Sequence, residues 1–391
     1  MTPVSDYARY LEIPSSNNGL KILDKIVRKA AEADATEVYL RKGYPISFLA
    51  KGSVQHAINW DMGEKGIISD GDFMLVMLFV TNPETKEMVW PSKQPLPANS
   101  FTRVFRFEKN QLRLQYSPYQ HPPQLTLRVQ PLAPYPIEAY LPYSPSLIDS
   151  LDLAKSSGLY LVAGPVGSGK TSLASSITQM WAKSGNHIAM LADPIEYYIA
   201  PETHLVSTWE CSLTTAGQRE GTPFVDAIIP DLLRSKVAAY YVSEVREAAS
   251  VSAVLELSRS REPVITTFHA ASIADAVVSF MSLADRILGH DRARIMTGQM
   301  LEGVFYVNVV YGTSKYVPVI EFLPFQKCPP ILKALESGTT RQIADAVNAE
   351  IEKNTAQGGT AIGRKLAIDN AKRLGLAELA ASAALPPATQ V

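Results

Sequence analysis

The stretch LYLVAGPVGSGKTS, residues 159–172, decides how the rest of this 391-residue chain is read. An apolar run, Leu159 to Ala163, leads without a gap into Gly164-Pro165-Val166-Gly167-Ser168-Gly169-Lys170-Thr171-Ser172. Apolar residues then recur at helical spacing, at Leu173, Ile177, Met180 and Trp181. Strand, glycine-rich turn and helix follow in the order of a phosphate-binding P-loop. The glycines let successive backbone N–H groups point inward as an anion nest, which the positive end of the helix reinforces. Lys170 is then expected to reach the β- and γ-phosphates of a nucleotide, ATP, and the Thr171 hydroxyl to ligate Mg²⁺.

Three further apolar runs end at polar residues. HIAML leads to Asp193 and Glu196, AAYYVS to Glu244, and PVITTF to His269. Their alternation with helical stretches predicts a parallel sheet covered by helices, which binds ligands at the carboxyl ends of its strands. Phosphoanhydride hydrolysis needs a group that orients and deprotonates water, and Glu196 is the candidate. Asp193 is expected to hold the turn or the metal shell. An apolar strand ending in a carboxylate makes Glu244 the second Mg²⁺ ligand beside Thr171. His269 is placed to contact the γ-phosphate or report its loss. Arg219 and Arg234 are candidate cationic fingers, with Arg103, Arg106, Arg113 and Arg128 further possibilities.

The expected organisation is a lead-in (1–18), a small α+β domain (19–130), a proline-rich linker (131–146), the α/β nucleotide domain (147–327), a helical extension (328–381) and a tail (382–391). The small domain is read from a helix starting near Gly19, a helical segment from Asp72 to Val80, and short β-rich pieces. Lys and Arg total 37 against 38 Asp and Glu, so the charge balance argues against nucleic acid as a direct partner. Two widely spaced cysteines, Cys211 and Cys328, suit a reducing compartment. The start carries no signal-peptide pattern, and the longest apolar run, Phe73 to Val80, is too short to span a bilayer. A cytoplasmic protein that meets membranes only through partners is the expectation.

In order and spacing, GPVGSGKT, DPIEY, SEVRE and TTFHAAS resemble the Walker A, Asp box, Walker B and His box of the secretion-ATPase superfamily, which includes PilT-like retraction motors and type IV secretion ATPases. KILDKIVRKAAEADATEVYLRKGYPISFLAKGSV and QMLEGVF are similar to that family's opening and to its segment after the His box. The resemblance implies a homo-hexameric ring in which a PAS-like N-terminal domain and a RecA-like domain sandwich ATP. It also implies that Glu196, Glu244 and His269 are the box residues, with Arg234 and Arg219 on the family's arginine positions. Ser243 departs from the usual glycine, and Pro230, Lys236-Val237-Ala238 and Arg261-Glu262-Pro263 depart as well. These departures point towards DotB- and TraJ-like ATPases of secretion and conjugation systems, recruited to inner-membrane components of such an apparatus. A pilus retraction or assembly motor and a nucleotide-dependent scaffold with little hydrolysis are the alternatives.

Overall fold

Leu23, Ile26, Val27 and Ala30 recur every three or four residues, and they form the buried stripe of helix α1, Asn18–Glu32. It opens the part of the chain described by a computed structural model, namely residues 18–50, 53–58, 60, 64–81, 96–106, 110–141, 151, 157–193, 195–199, 205–211, 225–311, 316–325, 328–356 and 369. The chain divides into two compact units, residues 1–133 and 134–391.

In the first unit β1 (Ala35–Arg41), β2 (Ser47–Ala50) and β3 (Ser53–His56) precede α2 (Asp70–Thr81), and β4 (Phe101–Arg106), β5 (Asn110–Ser117) and β6 (Gln124–Pro131) follow it. The six strands make one sheet in the order β3-β2-β1-β6-β5-β4, with every pairing antiparallel. Alternation gives it one apolar face: Val38 and Leu40 of β1, Leu112 and Leu114 of β5, and Leu125 and Leu127 of β6 are all fully buried. The apolar run expected to be core is α2, whose Phe73, Val76, Met77 and Phe79 are buried, and it packs on α1. A Cβ at Gly19 would lie 2.2 Å from the Leu75 carbonyl oxygen, so this close helix crossing requires glycine. The opposite sheet face is polar, and its register sets Arg113 beside Arg128, which in turn faces Glu37.

The second unit starts with a 3-10 turn, Ile137–Ala139, inside the stretch expected to be linker. Ile137 and Tyr140 are buried in this unit's core. Two apolar side chains, each worth about 1.5–3 kcal/mol on burial, outweigh the stiffness that the flanking prolines suggest. The elements that follow are β7 (Leu159–Gly164), α3 (Lys170–Lys183), β8 (Ile188–Ala192), β9 (Val206–Glu210), α4 (Val225–Arg234), β10 (Ala239–Val245), α5 (Ala248–Ser258), β11 (Val264–His269), α6 (Ile273–Leu288), α7 (His290–Met300), β12 (Leu301–Tyr311), β13 (Tyr316–Pro324), α8 (Pro329–Ser337) and α9 (Thr340–Ala356). Their sheet has the order β13-β12-β7-β11-β10-β8-β9. Residues of β7 and β8 are buried without alternation, the mark of strands covered on both faces.

The sheet is mixed rather than purely parallel. Six strands run parallel, but β13 pairs antiparallel with β12, from Gly303 opposite Pro324 to Tyr311 opposite Tyr316. Only residues 312–315 separate those strands, far too few for a parallel crossover. Helix α9 covers the expected helical stretch Arg341 to Glu352. The stretch Leu366 to Ala381, the lead-in up to residue 17 and the tail from 382 fall outside the described residues, apart from residue 369.

Candidate active site

Gly164, Gly167 and Gly169 have φ of 153°, 76° and 91°, the last two in the left-handed region that favours glycine. Gly164 is also fixed by space: a Cβ there would meet the Val307 carbonyl oxygen at 2.2 Å and Ser168 Oγ at 2.8 Å. The start of the loop is therefore pressed between β12 and the loop's own Ser168. Gly169 is the residue before α3, so the helix's first N–H groups open into the loop.

Lys170, in the first turn of α3, is 7% exposed. Its Nζ donates to the Pro165 carbonyl at 2.7 Å and stands 3.3 Å from His269 Nδ1. His269 is the last residue of β11, in register with Gly164 of β7. Its Nε2 lies 2.7 Å from Glu244 Oε1, near the end of β10. Partial burial, and then the Lys170 ammonium, holds the His269 pKa below the ordinary imidazole range, against the opposing pull of Glu244. The ring thus stands between the Lys170 ammonium, facing Nδ1, and the Glu244 carboxylate, facing Nε2.

Arg246, two residues past Glu244, donates a charge-assisted hydrogen bond from Nη2 to Glu244 Oε2. That bond is the main reason its guanidinium holds its proton still more tightly, with Glu244, Glu196 and Asp193 adding their charge. Acids from two strand ends thus act on one arginine, which touches Glu244. The sequence reading passed over Arg246, although SEVRE places it one turn residue beyond the strand tip. Ser243, the departure from glycine, ties the same two strand ends: its Oγ accepts from the Asp193 N–H at 3.3 Å. Such a bond contributes about 1 kcal/mol.

Glu196 lies in the turn after β8, where burial alternates: Ile195, Tyr197 and Ile199 are buried, while Glu196 and Tyr198 are half-exposed. The charge of Glu196 reaches Tyr241 of β10 and Tyr197. Ser172, in the first turn of α3, meets the Tyr140 hydroxyl at 2.7 Å. Thr171 is half-buried beside Lys170.

The arginine expectations fare differently. Arg234 ends α4, 80% exposed at its side chain, with Asp231 of the same helix 3.8 Å away. Among the described residues its ion pair stays within α4 and does not include Lys170, His269 or Glu244. Arg219 falls outside the described residues. Arg103 and Arg106 are on β4, Arg113 on β5 and Arg128 on β6, all in the first unit. Among the described residues no group of three His, Cys, Asp or Glu side chains can hold a metal alone.

A glycine-rich loop between a parallel strand and a helix, with acidic and imidazole groups at the tips of adjoining strands, is the architecture of P-loop proteins. The model of the family described as Type II/IV secretion system protein matches residues 16–287, more than half of the chain. The chain belongs to that family, within the superfamily of secretion and traffic ATPases. Competence protein ComGA of Streptococcus pneumoniae is 28% identical over 155 residues, 40% of this chain and 44% of that protein. The chain thus spans less than half the length of the curated relatives it matches. Among solved structures, the Legionella pneumophila ATPase DotB is similar, with a TM-score of 0.66 and 19% identity over 91% of this chain and 95% of that one. The pilus retraction motor PilT with bound ADP gives a TM-score of 0.63 and 20% identity, covering 88% of this chain and 96% of that one. Both likenesses are of the fold.

Proposed function

We propose that this chain is a Mg²⁺-dependent ATPase that hydrolyses ATP to ADP and phosphate. It acts as a homo-hexameric ring that powers a type IV secretion or plasmid conjugation apparatus from the cytoplasmic face of the inner membrane. Partner proteins of the apparatus attach it there; no described helix is long and apolar enough to cross a membrane. The first unit is the PAS-like domain and the second the RecA-like domain with its helical extension.

One observation carries the catalytic part of this reading: Lys170, His269 and Glu244, from one helix and two strand tips, are joined by contacts of 3.3 and 2.7 Å at the mouth of the glycine loop. The donor set fits a metal nucleotide. Gly164, Gly167 and Gly169 shape a nest of N–H groups, and Lys170 turns its ammonium on a backbone carbonyl, a contact that a phosphate oxygen can replace. Thr171 and Glu244 offer hard oxygen donors, too few to retain Mg²⁺ without phosphate oxygens as well. They would hold the ion, whose charge offsets that of the β- and γ-phosphates. Lys170 and the loop amides Gly164 to Ser172 bind and orient the triphosphate. Glu196 takes a proton from the attacking water as its oxygen bonds to the γ-phosphorus and the bond to the β-γ bridging oxygen breaks. His269 and Glu244 line the γ-phosphate side. Arg234 and Arg219 serve as fingers for a neighbouring protomer, a role that suits the exposure of Arg234.

Phosphate release from purified protein with Mg²⁺ and ATP tests this directly. Lys170→Ala should lower nucleotide affinity by about tenfold or more. A Lys170→Ala protein that binds and turns over ATP like the parent sinks the assignment.

A further inference from the structure

The stretch that enters the second unit is tied to the helix that carries the phosphate loop. It begins at Pro134, where the division between the units falls, and has a second proline at 136. Each proline fixes its own φ and restricts the residue before it, so the stretch moves as a stiff piece and not as a slack tether. Ile137 and Tyr140, 4% and 7% exposed, seat its 3-10 turn on α3, in one core with Leu173, Ile177 and Trp181 of that helix. Tyr140 adds a directional contact, since its hydroxyl and that of Ser172 share a hydrogen bond of 2.7 Å. Ser172 stands in the first turn of α3, directly after Lys170 and Thr171. In the last turn of the same helix Trp181 Nε1 donates to the Leu151 carbonyl at 2.8 Å. Near both of its ends α3 is thus held by residues that precede β7, and its N-terminus shapes the phosphate site.

We propose that Tyr140 is a positioning residue that couples the phosphate loop to the stretch 134–141: a triphosphate in the loop seats this stretch more firmly than a diphosphate does. The proposal rests on the reading of the loop as an ATP site. Lys170 Nζ, held by the Pro165 carbonyl, is the group that reaches the γ-phosphate, so a triphosphate fixes the first turn of α3 more completely. Ser172 in that turn passes the constraint to Tyr140 through their shared bond. A ligand shifts such an equilibrium only through a difference in its affinity for the two states, and the effect is reciprocal. A seated Tyr140 therefore favours triphosphate over diphosphate by the same factor.

Two amides report the seating: the Ala139 N–H donates to the Pro136 carbonyl and the Tyr140 N–H to that of Ile137, both at 2.9 Å. Their hydrogen exchange is followed by mass spectrometry in the full chain, saturated with Mg²⁺ and either ADP or a non-hydrolysable ATP analogue. The analogue should slow them at least about threefold relative to ADP. In Tyr140→Phe, which keeps the ring and loses the hydroxyl, that difference should fall below about 1.5-fold, and the Kd for ADP divided by the Kd for the analogue should drop about threefold. A contact that merely supports the fold would weaken both ligands alike and leave the exchange difference in place. Amides that do not slow with the analogue in the parent protein overturn the proposal. So does a difference that survives in Tyr140→Phe, or a Kd ratio that stays at its parental value. If Tyr140→Phe does not fold, Ser172→Ala, which keeps the loop amide and loses the partner hydroxyl, decides by the same readouts. Exchange in peptides from 164–172 separates the two layers. A loop protected by nucleotide with no response at Ala139 and Tyr140 removes only the coupling, whereas an unprotected loop removes the ATP site and the coupling with it.

Discussion

The two sheets of this chain use their strands in opposite ways. In the first unit antiparallel strands alternate, so one face is core and the other polar, and chemistry-bearing residues such as Glu37, Arg113 and Arg128 are spread along the strands. In the second, β7, β8, β10 and β11 run parallel and are buried along nearly their whole length, and the accessible charged or titratable groups, Glu244 and His269, stand at one end. Gly164, Asp193, Glu244 and His269 therefore collect at the carboxyl ends of these strands, next to the α3 N-terminus. A parallel sheet concentrates function because it has nowhere else to put it.

Substitutions sharpen that contrast. The largest effect is expected at a strand tip: Glu196→Gln should lower turnover by about 10²–10⁴ while the protein still binds a fluorescent nucleotide. Near-parental phosphate release would mean that the acid-bearing tips are not where the chemistry happens. Next comes the interior of the first sheet, where Leu127→Ala, at a fully buried position, should remove about 2–5 kcal/mol from the stability of that unit in a denaturant titration. A loss below about 1 kcal/mol would show that this face is not a close-packed core. Smaller is the effect of Arg246→Gln, since Arg246 is 57% exposed and its pair with Glu244 is partly screened. Freed from that pair, Glu244 should be more open to Mg²⁺, so the gain in nucleotide affinity on replacing EDTA with Mg²⁺ should grow about threefold. An unchanged ratio would remove any competition between arginine and metal for the carboxylate. Smallest is Arg128→Thr on the polar face, which loses attraction to Glu37 and repulsion from Arg113 together. A thermal-melt change within about 0.5 kcal/mol is expected, and a larger one would show that this face is not simply solvated.

The same contrast explains what the sequence made legible. Continuous apolar runs ending in polar residues can be read without knowing their neighbours, so the strands carrying Gly164, Glu244 and His269 emerged near their observed limits. The glycine loop was legible because backbone geometry and space leave few alternatives at Gly164 and Gly169. Short edge strands were not: β3, Ser53–His56, is exposed at all four positions and carries no alternation. β9, Val206–Glu210, buries only its first residue. The β12–β13 hairpin was missed because β12 joins the sheet by pairing with β7, Leu301 opposite Leu159, 142 residues upstream, and pairing of that kind leaves no local periodicity. Among arginines, type and proximity to a strand did not separate Arg234, exposed on a helix end, from Arg246, held by Glu244. That distinction depends on which way the chain turns after β10.

Both native thiols are sealed away: Cys211 and Cys328 are 0% and 1% exposed, and burial pushes their pKa values up to about 12 and about 11. Thiolate, the reactive form, is scarce at neutral pH and shielded as well. A maleimide dye will therefore prefer a cysteine introduced at an exposed site such as Tyr119, 72% exposed, over either native thiol. The unmodified background can thus serve directly for fluorescence distance measurements between the two units during turnover.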